Sequence, residues 1–539
     1  MRDPKEQEAL ARFVSDPAGN VFVVNPGALP GMIGAVYARY SRAKGGFREI
    51  LLNEFVKEGI LDPKRADELI ERVLIQFGDD SVQELESAWL SIEEISNIAT
   101  KAIEDRRLGS YIEQSSRYVY YDRRDDQGRF RYLREPTIMA SPHAAAFEAT
   151  MNSAFETYCR LIAPMQAYFE RRKPLESAEY EIRLGQGRIR YDGCGDERER
   201  RDFHRTWVAD IRTKTCDTLR ILLPVATLTN VGMHANGRTF EHMLRHLYSS
   251  DLPELQEIAK RAHTALNTII PRYVQRAQRT DFLVETRHAM CALAEKLLAG
   301  LDAPLPAGNG VRLIRSGSHD DGQLAAMLFA FSELPFETLL TRVEQLSGEE
   351  RHEILETYVG RRTWRRDRPG RALEFGCPWL FELVIDFGIY RDLHRHRMVT
   401  QERQLLSTRL GFAEIPPEIV EAGFSDDIQT RVDASARMYE RIRADLGREI
   451  AQYAVLFGFN VRCYFGFNDR EAQHLLELRT GRQGHRSYRR VCQEMYRQML
   501  AVAPERVRAI CQFVDLNDYE WPRADSEAWQ RAMEAGLGS

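Results

Sequence analysis

At 539 residues, the chain exceeds what one hydrophobic core normally serves and leaves room for two or three domains. Hydrophobic residues make up 43% and charged residues 29%, with a formal net charge of -5. That balance excludes a disordered chain and gives no global pull toward nucleic acid or a membrane surface. Any anion-binding role must rest on local arginine clusters. The eight cysteines are scattered, without a CxxC pair or a disulfide framework, as expected of a protein in a reduced cytoplasm.

In chain order, MRDPKEQEALARF is a charged amphipathic start with no apolar signal core. Val21-Phe22-Val23-Val24 reads as a short strand. The segment from Ser81 to Arg107 comes next, and a shift of 290 residues lays it over Arg371 to Arg397. Glu84 then meets Glu374, Trp89 meets Trp379, Leu90 meets Leu380, Ile95 meets Ile385 and Arg107 meets Arg397. The same shift places Val21–Val24 over Val311–Ile314, and Asn236-Gly237-Arg238 is echoed later by Asn468-Asp469-Arg470. A diverged internal repeat is the expectation. Its first copy spans 1–300, with an extra charged stretch at about 170–206 whose alternating IRLGQGRIRY suggests a hairpin or a surface insertion. Its second copy spans 301–539.

The boundary lies after DFLVETRHAMCALAEKLLAG, a helix by its spacing that ends at Gly300, where LDAPLPAGNG begins. Farther on, LFELVIDFGIYRDL carries apolar residues at helical spacing and reads as a buried helix. It leads into His394-Arg395-His396-Arg397. An arginine fork donates two parallel hydrogen bonds to phosphate and keeps its charge when partly buried. Such a cluster behind a buried element therefore suits an anionic ligand as well as it suits acid-paired structure. In the first half, the matching stretch runs from Asp105 through Glu113-Gln114-Ser115-Ser116-Arg117, with hydroxyls and one guanidinium available to a phosphate.

These motifs resemble those of the flavin-dependent thymidylate synthases, whose signature is Arg-His-Arg, seven residues, then Ser, often continuing as Ser-x-Arg-Tyr after Glu-Gln. Arg107, seven residues and Ser115 in EQSSRY match its second part. Gly78 to Leu85 is similar to Gly-His-x-Ser-Val-x-Glu-His with both histidines lost. Arg220 to Pro224 resembles Arg-x-x-Leu-Pro, and Asn236-Gly237-Arg238 resembles Asn-x-Arg. The second copy keeps Arg395-His396-Arg397, Asn468-Asp469-Arg470 and Leu478-Arg479. It has Leu405 at the serine position, and Tyr453 to Phe457 in place of Arg-x-x-Leu-Pro.

The resemblance implies an α+β fold of two tandem, helix-rich thymidylate-synthase-complementing domains with small antiparallel sheets. It implies reductive methylation of dUMP to dTMP with FAD, NADPH and methylenetetrahydrofolate. Arg395, His396, Arg397, Asn468, Arg470 and His474 would grip FAD. Glu113, Gln114, Ser115, Ser116, Arg117 and Arg220 would hold the nucleotide, and Arg479 would serve substrate and catalysis at the pyrimidine carbonyls. The two copies lose complementary parts, so one composite site built from both halves is expected, in a homodimer that mimics a four-copy assembly. Leu85 and Phe375 replace histidines near the flavin and folate. That leaves open a flavoenzyme for another pyrimidine nucleotide, or an inactive nucleotide- or RNA-binding relative. His242 and His246, four apart, read as structural rather than metal-binding, and the basic loop around Trp364 as solvated. A cytoplasmic location and no membrane or nucleic-acid partner complete the expectations.

Overall fold

The computed structural model describes residues 4–40, 43–57, 60–71, 80–183, 187–301, 308–314, 319–360, 372, 379–467, 469–502, 504, 507, 508, 511 and 513–521. Nine strands are described: β1 (Val56–Lys57), β2 (Ile60–Leu61), β3 (Ser87–Ser96), β4 (Ser110–Glu113), β5 (Leu228–Asn236), β6 (Val311–Ile314), β7 (Trp379–Asp386), β8 (Thr400–Arg403) and β9 (Asn460–Phe467). They form a β1-β2 ribbon, a three-stranded sheet ordered β3-β5-β4 and a four-stranded sheet ordered β6-β7-β9-β8. Helices make up most of the remaining regular structure, so the chain is a helix-rich α+β protein. None of the described helices is long and apolar enough to cross a membrane.

The order β3-β5-β4 recurs as β7-β9-β8, and the spacing recurs with it. Helices opening at Asn97 and Phe387, each directly after the first of the three recurring strands, β3 and β7, stand 290 residues apart. Helices opening at Gly237 and Asp469, after β5 and β9, stand 232 apart. The first half therefore carries the extra length between its second and third repeat strands. This stretch holds the helices Ala144–Arg172 and Glu197–Leu219. Between them, Tyr180 and Ile189 exchange backbone hydrogen bonds of 3.1 and 3.0 Å, the pairing of a hairpin. Ala178, Tyr180, Cys194 and Phe203 give it a small core of its own.

By packing, the chain divides into two compact units. One contains residues 1–94, 102–113 and 229–284, and the other residues 95–101, 114–228 and 285–539. The first holds most of the β3-β5-β4 sheet. There β5 alternates buried and half-buried positions, as a sheet with one covered face must. The second holds the β6-β7-β9-β8 sheet, in which every residue of β7 is buried, and a core that includes Phe329, Phe336, Leu380 and Tyr464. Inside this second unit the segments after Arg220 and after Gln452 pair antiparallel. Pro224 lies opposite Leu456, Val225 donates its N–H to Val455 at 2.9 Å, and Phe457 donates to Leu223 at 2.8 Å. Pro224 and Leu456 are themselves 232 residues apart, so equivalent positions face each other, as across a local two-fold axis.

Two readings of the sequence need correction. The run from Leu380 to Leu393 is not one helix: Trp379–Asp386 is a strand and only Phe387–Leu393 is helical. A short apolar run buried on both faces has no periodicity that separates the two states, and Val384-Ile385 favours the strand. The change comes at Asp386, whose carboxylate accepts the Ile389 N–H at 2.9 Å and caps the helix. Val21–Val24 is no regular strand either. Val24 bridges to Val14, with Ser15 donating to the Val23 carbonyl at 2.9 Å and Asn25 to that of Phe13 at 2.8 Å, but the pairing stays a single bridge and leaves Val21 and Val23 exposed. The helix Asp281–Leu298 does run as its spacing predicts and is followed by Gly300 at φ 78°. The following residues 302–307 lie outside the described residues.

Candidate functional site

The helix Glu197–Leu219 ends with Asp217 on its last turn, and the 3-10 turn Arg220–Leu222 follows at once. Arg117 comes from the turn after β4. Its Nε and Nη2 donate to the two carboxylate oxygens of Asp217, both at 2.7 Å, in a fork-to-fork pair. Burial opposes charge on both groups. Their mutual attraction more than offsets it, holding the Arg117 pKa well up and that of Asp217 down. Arg220 is buried, donates through Nη1 to Asp392 at 3.0 Å, and leaves its buried Nη2 without an acceptor among the described residues. Burial pushes Asp392 up, but Arg220 and Arg117 bring it far below the usual carboxylate range.

From the second half, the capped helix Phe387–Leu393 presents Arg391 and Asp392, and Arg391 Nη1 donates to the Ser116 hydroxyl at 3.2 Å. The next turn carries Arg395 and Arg397, both exposed, on either side of buried His396. His396 Nδ1 lies 2.8 Å from Glu471, while its Nε2 receives the Arg479 Nε–H at 2.8 Å. An acceptor role at Nε2 requires the neutral ring with its proton on Nδ1. Burial, despite Glu471, keeps the ring pKa below the ordinary histidine value. Arg479 and Arg117 approach one aromatic ring, with guanidinium carbons 5.6 and 5.9 Å from the centre of Tyr488.

His485, just before the helix Arg486–Val502, accepts the Ser487 N–H on Nδ1 at 3.1 Å. Burial first, then Arg220, pushes its pKa down to about 3. Burial also raises Asp386 to about 6, with Arg220 pulling the other way. Asp217, Arg220, Asp386 and His485 line a cavity of about 790 Å3.

Of the residues singled out in the sequence, Ser116, Arg117, Arg220, His396 and Arg479 therefore form one network. Ser115 serves the turn itself, accepting the Arg117 N–H at 3.2 Å. Glu113 is buried in β4, opposite Val231, and Gln114 is half-buried just after it. His474 is exposed and lies 3.5 Å from Glu471. With His396 and Glu471 it makes the one three-residue group of metal-ligating type among the described residues. Asn468 and the side chain of Arg470 lie outside the described residues, as do Phe375 and the loop around Trp364. The 232-residue equivalence that pairs Pro224 with Leu456 sets Gln452 against Arg220, one residue earlier than the motif comparison had it. Gln452 is buried and neutral, bonded to the backbone of Leu406 and Glu449, so the pseudo-symmetric position carries no charge.

In the first unit, His246 Nδ1 lies 2.9 Å from the His242 carbonyl one turn back, and burial beside Arg106 lowers its pKa to about 3. The two rings pack edge to face, 4.3 Å between centroids. Asp105, standing where an arginine would suit a flavin, is ion-paired to Arg106 at 2.6 Å.

Asp217, Asp392, His485 and Tyr488 had no signal in the sequence, because their partners lie as far as 268 residues away. Glu471 had a faint one: DREAQH sets it three residues from His474 on a helix.

The family described as thymidylate synthase complementing protein matches residues 32–272 and 339–505. A UPF0159 protein of Chlamydia muridarum is 32% identical over 551 residues, covering 98% of each chain. A UPF0159 protein of Thermoplasma acidophilum is 30% identical over 513 residues, 94% of this chain and 99% of its own. Those names state no activity. With two matched segments, a recurring strand order and one network drawn from both halves, this chain belongs to the thymidylate synthase complementing protein family.

Proposed function

We propose that the protein is a flavin-dependent enzyme of the thymidylate-synthase type, with a single composite site that works on a pyrimidine ring. The observation that carries the reading is the chain Glu471–His396–Arg479 beside two exposed arginines. Arg397 makes no hydrogen bond or ion pair among the described residues, and the terminal nitrogens of Arg479 carry no hydrogen bond there. That donor set fits FAD. Arg395 and Arg397 would bind its phosphates at the surface, joined by Asn468, Arg470 and His474.

When bound, FAD supplies hydride, taken from NADPH. The chain's own part is orientation and electrostatics. Glu471 fixes the neutral His396 ring, and His396 in turn fixes Arg479 through Nε. The Tyr488 ring supports the guanidinium. The two terminal nitrogens of Arg479 are left to face a pair of pyrimidine carbonyls, where a fixed cation favours negative charge developing on the ring.

Family membership supports dUMP as substrate and methylenetetrahydrofolate as carbon donor. A specific observation favours the second reading, a different pyrimidine: Arg117 and Arg220, the arginines that would seat the nucleotide phosphate, are already held by Asp217 and Asp392. Leu85 stands where the family motif has histidine, and that loss also speaks against folate as the carbon donor.

The purified protein should show an oxidised-flavin spectrum, or acquire one with FAD. Arg397→Ala should lose the flavin and Arg117→Ala should keep it. A protein that never takes up FAD, or an Arg397→Ala variant as yellow as the wild type, ends this reading. Release of tritium from C5 of dUMP with NADPH and methylenetetrahydrofolate distinguishes thymidylate synthesis from the second reading.

A further inference from the structure

We infer that His396, Glu471 and His474 form a binding site for a divalent transition-metal ion such as zinc, and that an ion bound there releases Arg479 from His396. The site stands on its donor atoms alone; what the loss of Arg479 does to a pyrimidine ligand rests on the reading above.

Glu471 and His474 lie three residues apart on the helix Asp469–Thr480, a spacing that puts both on one face. His396 approaches from the turn after the helix Phe387–Leu393, its ring centre 5.1 Å from that of His474. His396 Nδ1 is 2.8 Å from one Glu471 oxygen, and His474 Nδ1 is 3.5 Å from the other. One ligand atom from each side chain lies within 4.8 Å of the other two. A four-coordinate ion with bonds of about 2.0–2.2 Å needs its ligand atoms about 3.3–3.6 Å apart, so small side-chain rotations close the shell. Two imidazoles and one carboxylate are the donor set of three-ligand zinc sites, with the fourth position left to water. Nitrogen donors favour such an ion over magnesium or calcium. His396 and Glu471 are buried, while the His474 side chain is 62% exposed and gives the ion its way in.

The link to Arg479 follows from the tautomer. Without an ion, the His396 proton sits on Nδ1 toward Glu471, and the Nε2 lone pair accepts the Arg479 Nε–H at 2.8 Å. An ion takes the Nδ1 lone pair, so a neutral ring must carry its proton on Nε2. The proton passes there by way of solvent, and the ring neither gains nor loses one. It then faces the Arg479 N–H, donor against donor, while the ion repels the guanidinium. Ion binding and the His396–Arg479 bond therefore exclude each other, and each weakens the other by the same factor. On the flavin reading, such an ion withdraws the guanidinium from the pyrimidine carbonyls and switches the site off.

Equilibrium dialysis of the full chain against zinc, after stripping with EDTA, tests both halves of the inference. The wild type should take up zinc with a Kd of about 10 µM or tighter. His474→Ala, at an exposed position, should lower the affinity at least about tenfold, as should Glu471→Gln. Arg479→Ala, which removes the competing hydrogen bond and charge, should raise it about tenfold. Cobalt in place of zinc should give the visible bands of a four-coordinate ion without thiolate charge transfer, which separates this site from any cysteine site. Equal zinc affinity in the wild type and His474→Ala overturns the site. Unchanged or weaker affinity in Arg479→Ala overturns the coupling. A protein that takes up FAD but no zinc, with the flavin or without it, ends this inference and leaves the flavin reading intact. A protein that binds zinc through His474 yet never takes FAD does the reverse.

Discussion

Asp217→Ala tests the central ion pair. Arg117 and Asp217 are 6% and 11% exposed at the side chain and joined by two 2.7 Å bonds. At about 4 Å between charge centres and an effective dielectric of about 20, their attraction is about 4 kcal/mol. Removing the carboxylate forfeits that and strands a guanidinium in the interior, for which losses of about 3–5 kcal/mol are typical. Asp392, which also attracts Arg117, should keep the loss near the lower end, about 3 kcal/mol. Replacing both partners by apolar residues of similar size, Arg117→Met with Asp217→Leu, removes the stranded charge and should recover all but about 1 kcal/mol. Urea unfolding followed by tryptophan fluorescence reads the difference as a shift of midpoint at unchanged slope. If the single substitution costs less than about 1 kcal/mol, or the double one as much as the two singles added, the pair is not the buried, mutually dependent unit described.

Two further expectations follow from burial and close approach. Burial raises Glu86 to about 7, although it accepts the Gly34 N–H at 3.2 Å. The folded protein therefore holds a proton that the unfolded chain loses near pH 4, so the penalty is absent below about pH 4, grows through the interval and is complete above about pH 7. Glu86→Gln should then be more stable than the wild type at pH 8 by about 1–3 kcal/mol and no more stable at pH 4; thermal melts at the two values check this, and an equal effect at both would refute it. Gly388 packs so that an added Cβ would lie 3.3 Å from Arg220 Nε and 3.0 Å from Asp386 Oδ1. Gly388→Ala should displace that guanidinium and cost about 1–3 kcal/mol, seen as a lower urea midpoint with flavin content unchanged; an unshifted midpoint would show the contact to be slack.

The repeat, the helix that ends before Gly300 and the two motifs that meet through Arg391 and Ser116 were legible in order and spacing alone. Helical periodicity, a breaker residue and fixed motif distances are local properties, and one chain records them directly. The strand at Trp379–Asp386 was not legible, because an apolar run buried on both faces looks the same in either conformation. Its state was settled by β9 and β6 on either side.

The electrostatic character of the site was decided by tertiary structure. The sequence by itself determined that Arg117 and Arg220 exist and that guanidinium groups suit phosphate. Only the fold brought Asp217 across 100 residues and Asp392 across 172 to pair with them. An arginine's charge is written in its side chain, but what that charge is free to bind depends on which carboxylate packing has buried beside it.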